Sequence, residues 1–155
     1  LLLAGAAMLI GLLGGARDPL QPLAPFNGVS SAPTGAHQTA FNRVATIADL
    51  DRELASAKRP VMLDFYADWC VSCKEMERFT FADPAVAAAM AKMRLLQADV
   101  TNNTDADAAL LKRFELFGPP GIIFFDANGR EIPELRVVGF VAADKFLPTL
   151  ERALR

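Results

Sequence analysis

The chain is short of the residues on which many functional sites are built. In 155 residues it has two cysteines, one histidine, one tryptophan and one tyrosine. A structural zinc site ordinarily takes four Cys or His ligands. With Cys70, Cys73 and the distant His37 as the whole supply, this chain cannot furnish one unless a second chain contributes. Clustered basic residues are also missing. Lysine and arginine are scattered, the formal net charge is −2, and no basic patch interleaved with aromatics is present, which argues against nucleic acid as a partner. There are no internal repeats.

Charge is absent from residues 1–16, Leu-Leu-Leu-Ala-Gly-Ala-Ala-Met-Leu-Ile-Gly-Leu-Leu-Gly-Gly-Ala. A membrane-spanning helix needs about 20 apolar residues, so this segment reads as the C-terminal part of a transmembrane helix. The remainder of an N-terminal signal or anchor is a second reading, although no basic flank is visible. A soluble core helix is a third, weakened by four glycines in the first fifteen positions. Residues 17–40 lose hydrophobic periodicity. Pro19, Pro22, Pro25 and Pro33 stand among Gly, Ser, Thr and Asn, the composition of an extended flexible linker, and His37 reads as one of its solvated residues.

From residue 41 to 155 the pattern alternates strands and helices, as in an α/β domain. Phe41–Ala45 reads as a short edge strand. Thr46 caps a helix to about Lys58, with Ile47, Leu50 and Leu54 on one side. Val61–Tyr66 is a buried strand, followed by a helix that runs to about Thr80. Asp83-Pro84 pairs a cap with an N1 proline and opens a helix to Lys92. Met93–Val100 is a strand, and Thr104 with Asp107 opens a helix to about Leu116. After Gly118-Pro119-Pro120-Gly121, Ile122–Phe125 pairs as a hairpin with Glu131–Val138 through the turn Asp126-Ala127-Asn128-Gly129. An amphipathic helix over Ala142–Leu154 closes the chain. Phe79, Phe81, Phe114, Phe117, Phe124 and Phe125 read as core.

Both cysteines fall in one motif, Trp69-Cys70-Val71-Ser72-Cys73, where the strand ends and the helix starts. A sulfur at a helix N-terminus is stabilised as thiolate by free backbone N–H groups and the helix dipole. A second sulfur one turn later can close a reversible disulfide with it. A purely structural disulfide is a poor reading, because so short a loop removes little unfolded-state entropy. The chemistry expected is dithiol–disulfide exchange, in which Cys70 attacks and Cys73 resolves the mixed disulfide. Asp64, an acid in mid-strand beside Met62, Leu63 and Phe65, is expected to be buried with a raised pKa and to take the Cys73 proton. An ordinary buried acid bonded to the backbone is the alternative. Glu77 follows Cys70 by seven residues and Cys73 by four, which puts the three on one helix face. There it either opposes the Cys70 thiolate or is a plain surface charge. Trp69 and Tyr66 are expected at the rim of the site, with core packing an equal alternative for Tyr66.

The order β-α-β, α, β-hairpin, α is similar to the thioredoxin fold, a central mixed sheet flanked by helices, over residues 41–155. The run Val61–Glu77 followed by Thr80-Phe81-Ala82-Asp83-Pro84 resembles the C-terminal periplasmic domain of the DsbD family of transmembrane thiol:disulfide interchange proteins. The Lys-Glu-x-Glu and Thr-Phe-x-Asp-Pro sequel carries the specificity that CxxC alone lacks. The resemblance implies an inner-membrane protein with this domain in the periplasm. The domain would take electrons from its own membrane domain, supplied by cytoplasmic thioredoxin. It would pass them to the N-terminal periplasmic domain, and onward to disulfide isomerases and cytochrome c maturation thioredoxins. No cofactor beyond the Cys70–Cys73 disulfide is implied. The resemblance also places an acid at Asp64, a pKa-raising glutamate at Glu77 and a substrate-facing cis-proline at Pro120. Pro119 before it departs from the usual pattern, and Val71-Ser72 departs from thioredoxin's Gly-Pro. The competing readings are a signal-anchored thioredoxin for cytochrome c maturation, a binding module with an inert disulfide, and an oxidase. The nearby acids and the lack of a histidine between the cysteines disfavour the oxidase.

Overall fold

Strand alternation in Val61–Tyr66 does not separate apolar from polar residues, and apart from Asp64 the run is apolar throughout. That is how a strand reads when both of its faces are covered. The computed structural model, which describes residues 40–155, places this segment (β2) at the centre of a five-stranded sheet with all six residues buried. Segment 1–16, residues 17–39 and His37 lie outside the described residues. Among the described residues no helix is long and apolar enough to cross a membrane.

The sheet order is β1-β3-β2-β4-β5, formed by Asn42–Arg43 (β1), β2, Arg94–Asp99 (β3), Gly121–Phe125 (β4) and Val137–Val138 (β5). Strands β1, β3 and β2 run parallel, while β4 and β5 are antiparallel to their neighbours. The helices are Ile47–Ala55 (α1), Val71–Glu75 (α2), Pro84–Met90 (α3), Asp105–Arg113 (α4) and Ala143–Ala153 (α5). The expected caps are present. The Thr46 hydroxyl accepts from Asp49 N, and the Asp83 carboxylate accepts from Ala85 N and Val86 N ahead of Pro84. Thr104 and Asp107 form a reciprocal capping box.

Two hydrophobic clusters lie one on each side of the sheet. Leu63 and Phe65 of β2 pack with Leu50, Leu110, Phe114, Ile123 and Phe125. Met62 packs with Met76, Phe81, Met90, Ile122, Phe124 and Phe146. Each fully buried Phe contributes on the order of 1.5–3 kcal/mol, so the two clusters clamp β2 from both sides.

Several expectations are corrected. The second hairpin strand is not continuous over Glu131–Val138: Glu131 makes one bridge to Phe125, Pro133–Leu135 is a 3-10 turn, and pairing resumes only at β5. Pro133 has no N–H to give a ladder, which ends the strand there. The helix after the cysteines is α-helical only to Glu75 and continues as a π-helix over Met76–Phe81. Thr80 Oγ1 donates to Val141 O at 2.6 Å, and Val141 N donates to Met76 Sδ at 3.3 Å, which ties this segment to the loop before α5. The α1, α3 and α4 helices end earlier than their periodicity implied, and the edge strand shrinks to β1. Phe79 and Phe117 are exposed and not core.

The turn after β4 is braced against α1. Asp126 accepts from Asn128 N and Arg130 N, and Gly129 sits at φ +76. A Cβ at Gly129 would lie 2.7 Å from the Leu54 carbonyl oxygen. Gly129→Ala is therefore expected to lose about 1–3 kcal/mol of stability. Urea denaturation checks this, and an unchanged midpoint would refute the steric reading.

Candidate active site

Where β2 ends, Cys70 N donates to Ala67 O at 3.0 Å, turning the chain so that Cys70 becomes the N-cap of α2. Its Sγ accepts from Cys73 N at 3.1 Å. Cys70 and Cys73 are joined as a disulfide, with their Cα atoms 5.3 Å apart. Cys73 Sγ also stands 3.9 Å from Phe65 O. In the disulfide that sulfur carries no hydrogen, but in the dithiol the same placement lets the Cys73 thiol donate to the carbonyl.

Cys70 is less open than its position at a helix start suggests. It is 5% exposed and Cys73 is 3% exposed, since both sulfurs pack into the cluster containing Tyr66, Ala67 and Phe65. A partner disulfide must come in close over the neighbouring surface to reach Cys70.

Asp64 is buried, as expected from its place in β2. Burial pushes its carboxyl up to about 7. The hydrogen bond from Gln97 works against that rise, and the Glu77 charge adds to it. Gln97 Nε2 donates to Asp64 Oδ2 at 3.0 Å from the facing position of β3. Gln97, itself buried, was missed in the sequence, although one polar residue within Leu95-Leu96-Gln97-Ala98 was a usable signal. Glu77 lies in the π-helical segment with an exposed side chain, and its charge still reaches Asp64. The structure thus links Asp64 electrostatically with Glu77.

The rim is built on Trp69, 60% exposed, whose indole Nε1 donates to Thr101 O at 3.1 Å. Tyr66 is buried, but its hydroxyl takes part in the rim: Lys74 Nζ donates to it at 3.1 Å, and it donates to Asp68 Oδ1 at 3.0 Å. The bond to Tyr66 holds the Lys74 ammonium above its usual pKa. The sequence marks Lys74 only as part of the Lys-Glu-x-Glu sequel and not as a rim residue, and it gives no sign of Thr101. The Pro119–Pro120 peptide bond is cis. Pro120 immediately precedes Gly121, which pairs with Phe65 on β2, so the loop ends beside the strand that leads into the cysteines. Pro120 O accepts from Gly139 N at 3.0 Å. Pro119 is half-buried and Phe117, two residues earlier, is exposed.

The raised Asp64 pKa has a thermodynamic signature. With an ordinary value of 3.8 when unfolded and about 7 when folded, the native state holds the extra proton between those limits. Stability present at low pH is lost as pH rises through about 7, by about 4 kcal/mol in all. In the disulfide form, Asp64→Asn should gain on the parent by about 2–3 kcal/mol between about pH 5 and about pH 8. Urea titrations at the two pH values measure this gap. A gap that stays flat would show that Asp64 titrates normally.

Residues 48–154 match the family model of the thioredoxin-like domain. Over 161 aligned residues the chain is 57% identical to a thiol:disulfide interchange protein DsbD of Ralstonia nicotianae, covering 99% of this chain and 26% of that protein. It is 49% identical to DsbD of Escherichia coli over 129 residues, 83% of this chain and 22% of that one. The chain thus spans about a quarter of the length of these relatives. Among solved structures, the oxidised C-terminal domain of Neisseria meningitidis DsbD superposes with a TM-score of 0.61 at 40% identity, over 74% of this chain and 100% of that domain. Thioredoxin of Fasciola hepatica, at 23% identity and a TM-score of 0.58, shares the fold. A CxxC disulfide on a mixed sheet flanked by helices, together with full coverage of the Neisseria domain, places the chain in the thioredoxin-like family, where it belongs with the DsbD C-terminal domains as a thiol:disulfide oxidoreductase.

Proposed function

We propose that this chain is the electron-relaying reductase module of a longer interchange protein. In this reading a membrane domain, supplied by cytoplasmic thioredoxin, reduces the Cys70–Cys73 disulfide. The resulting dithiol reduces an N-terminal periplasmic domain, which serves disulfide isomerases and cytochrome c maturation thioredoxins. Residues 1–16 and 17–40 would tether the module to the inner membrane and let it reach both partners from the periplasmic side. The observation that carries the proposal is the buried disulfide at the end of β2 in a chain that covers the whole of a DsbD C-terminal domain.

Each transfer balances within the pair. The Cys70 thiolate attacks a partner disulfide, forming one S–S bond and releasing one partner thiolate. Cys73 then loses its proton and attacks Cys70, which restores the intramolecular disulfide and releases the second partner thiol. Two electrons leave with the partner, so the step requires neither metal nor organic cofactor. Asp64, titrating near neutrality, is the group suited to take the Cys73 proton. Trp69 with the Pro119-Pro120 loop would receive the partner strand.

Glu77 and Asp64 together would keep Cys70 largely protonated until a partner docks, limiting reaction with stray disulfides. Asp64→Asn combined with Glu77→Gln should then lower the Cys70 pKa by roughly one unit, read from ultraviolet thiolate absorbance against pH. An unchanged titration would remove this role for the acids.

The relay is tested by Cys73→Ala, which should accumulate a mixed disulfide on Cys70 with the N-terminal domain. Equilibration of the parent with a thiol redox buffer should give a reducing potential, about −200 mV or lower. A potential near about −120 mV, the range of strong oxidants, would make this an oxidase and overturn the relay.

A further inference from the structure

Thr101 uses every polar group it has: its carbonyl and hydroxyl oxygens accept from the two residues before Cys70, and its N–H and hydroxyl hydrogen go to Asp99. Its carbonyl accepts the Trp69 indole N–H at 3.1 Å. Its hydroxyl accepts Asp68 N at 2.9 Å and donates to Asp99 Oδ1, and its own N donates to that same oxygen at 3.0 Å. The other Asp99 oxygen is paired with Arg43 of β1. The turn that follows β3 is thereby latched to Asp68 and Trp69, the two residues before Cys70. Burial alone would raise the Asp99 pKa, but hydrogen bonds from Thr101 and Arg43 hold it below the ordinary value, so it stays a carboxylate acceptor at neutral pH.

The consequence for the reaction follows from exposure. Trp69 presents 60% of its surface beside a Cys70 that is only 5% exposed. A protein disulfide must pass its backbone over the indole to bring its sulfur to Cys70, whereas a small disulfide needs room for little more than the sulfurs. Indole orientation therefore bears on protein partners far more than on small thiols.

We propose that Asp99 and Thr101 are positioning residues for protein partners: through the Thr101 carbonyl and hydroxyl they fix the Trp69 indole and the turn that delivers Cys70. They touch no reacting atom, and the assignment holds whichever way electrons flow through the site.

Trp69 is the only tryptophan of the chain, so intrinsic fluorescence reports this residue alone. The experiment compares the reduced full chain and its variants with two probes, insulin as the protein disulfide and glutathione disulfide as the small one. Asp99→Ala should raise acrylamide quenching of Trp69 and lower its anisotropy. It should also cut the ratio of insulin to glutathione rates by about fivefold, the scale of one lost hydrogen bond. Asp99→Asn, which keeps an acceptor for Thr101, should restore both readouts. Thr101→Val and Thr101→Ser form a second pair, the first losing the hydroxyl and the second keeping it, and they decide the matter if Asp99→Ala does not fold. Unchanged Trp69 quenching in Asp99→Ala or Thr101→Val would overturn the proposal. So would equal slowing with both probes, which marks a merely structural role, or failure of the conservative variants to rescue.

Discussion

Everything in the site hangs from one strand that has no solvent face. β2 is held between β3 and β4 in the plane of the sheet and covered by a hydrophobic cluster on either side. That enclosure stabilises the fold, and it also sets the terms for Asp64. A carboxylate in mid-strand has lost its water, and one neutral hydrogen bond from Gln97 does not make up for it. Desolvation therefore wins over hydrogen bonding, and the group titrates near neutral pH. An acid placed two strands outward, at a sheet edge, would keep water and an ordinary pKa. The proton-accepting capacity assigned to Asp64 is thus a property of sheet order as much as of residue type.

The same strand fixes where the sulfurs go. Cys70 and Cys73 pack with Leu63 and Phe65 on one side, whereas Met76 and Phe81, in the same continuous helical stretch, pack with Met62 on the other. The stretch Val71–Phe81 therefore spans the two cores, and its change from α to π-helix begins at Met76. The loop before α5 is tied to that change through Thr80 and Met76, and it also reaches the cis-proline loop through the Gly139–Pro120 bond. Helix, loop and proline are held as one frame around the disulfide.

What could be read from sequence was whatever depends on near neighbours. The apolar run of β2, the caps at Thr46, Asp83 and Thr104, and the strand–CxxC–helix junction are all local signals, and each is found in the structure. Asp64 could be read as buried because its own flanks are apolar. Gln97 was missed because its meaning lies in a cross-strand register between residues 33 apart. Thr101 was missed for the same reason, since its partners are Asp68 and Trp69 on another segment. Glu131–Val138 reads as one strand because its β-branched and apolar residues outweigh a single proline. Phe79 and Phe117 have the residue type of a core, and residue type does not reveal which side of a helix or loop faces solvent.

Depth divides the site into two regimes. At Asp64 a charge costs several kcal/mol, so electrostatics set the protonation of this carboxyl across neutral pH. At the rim, Arg43 and Lys74 are well solvated, and ion pairs there are worth at most about 1 kcal/mol. The rim network cannot act chiefly through charge. Its contribution is geometric: a set of hydrogen bonds that removes freedom from an exposed indole before a partner arrives, so that less ordering is left to be done on docking. In the proposed relay, electron chemistry and partner recognition would thus rest on different residues, the first on Cys70 and Cys73 beyond the end of β2 with Asp64 inside it, the second on Trp69 and the Thr101 turn. A change in one can then leave the other intact, and that separation would allow a single thiol pair to face partners of different shape without altering its own chemistry.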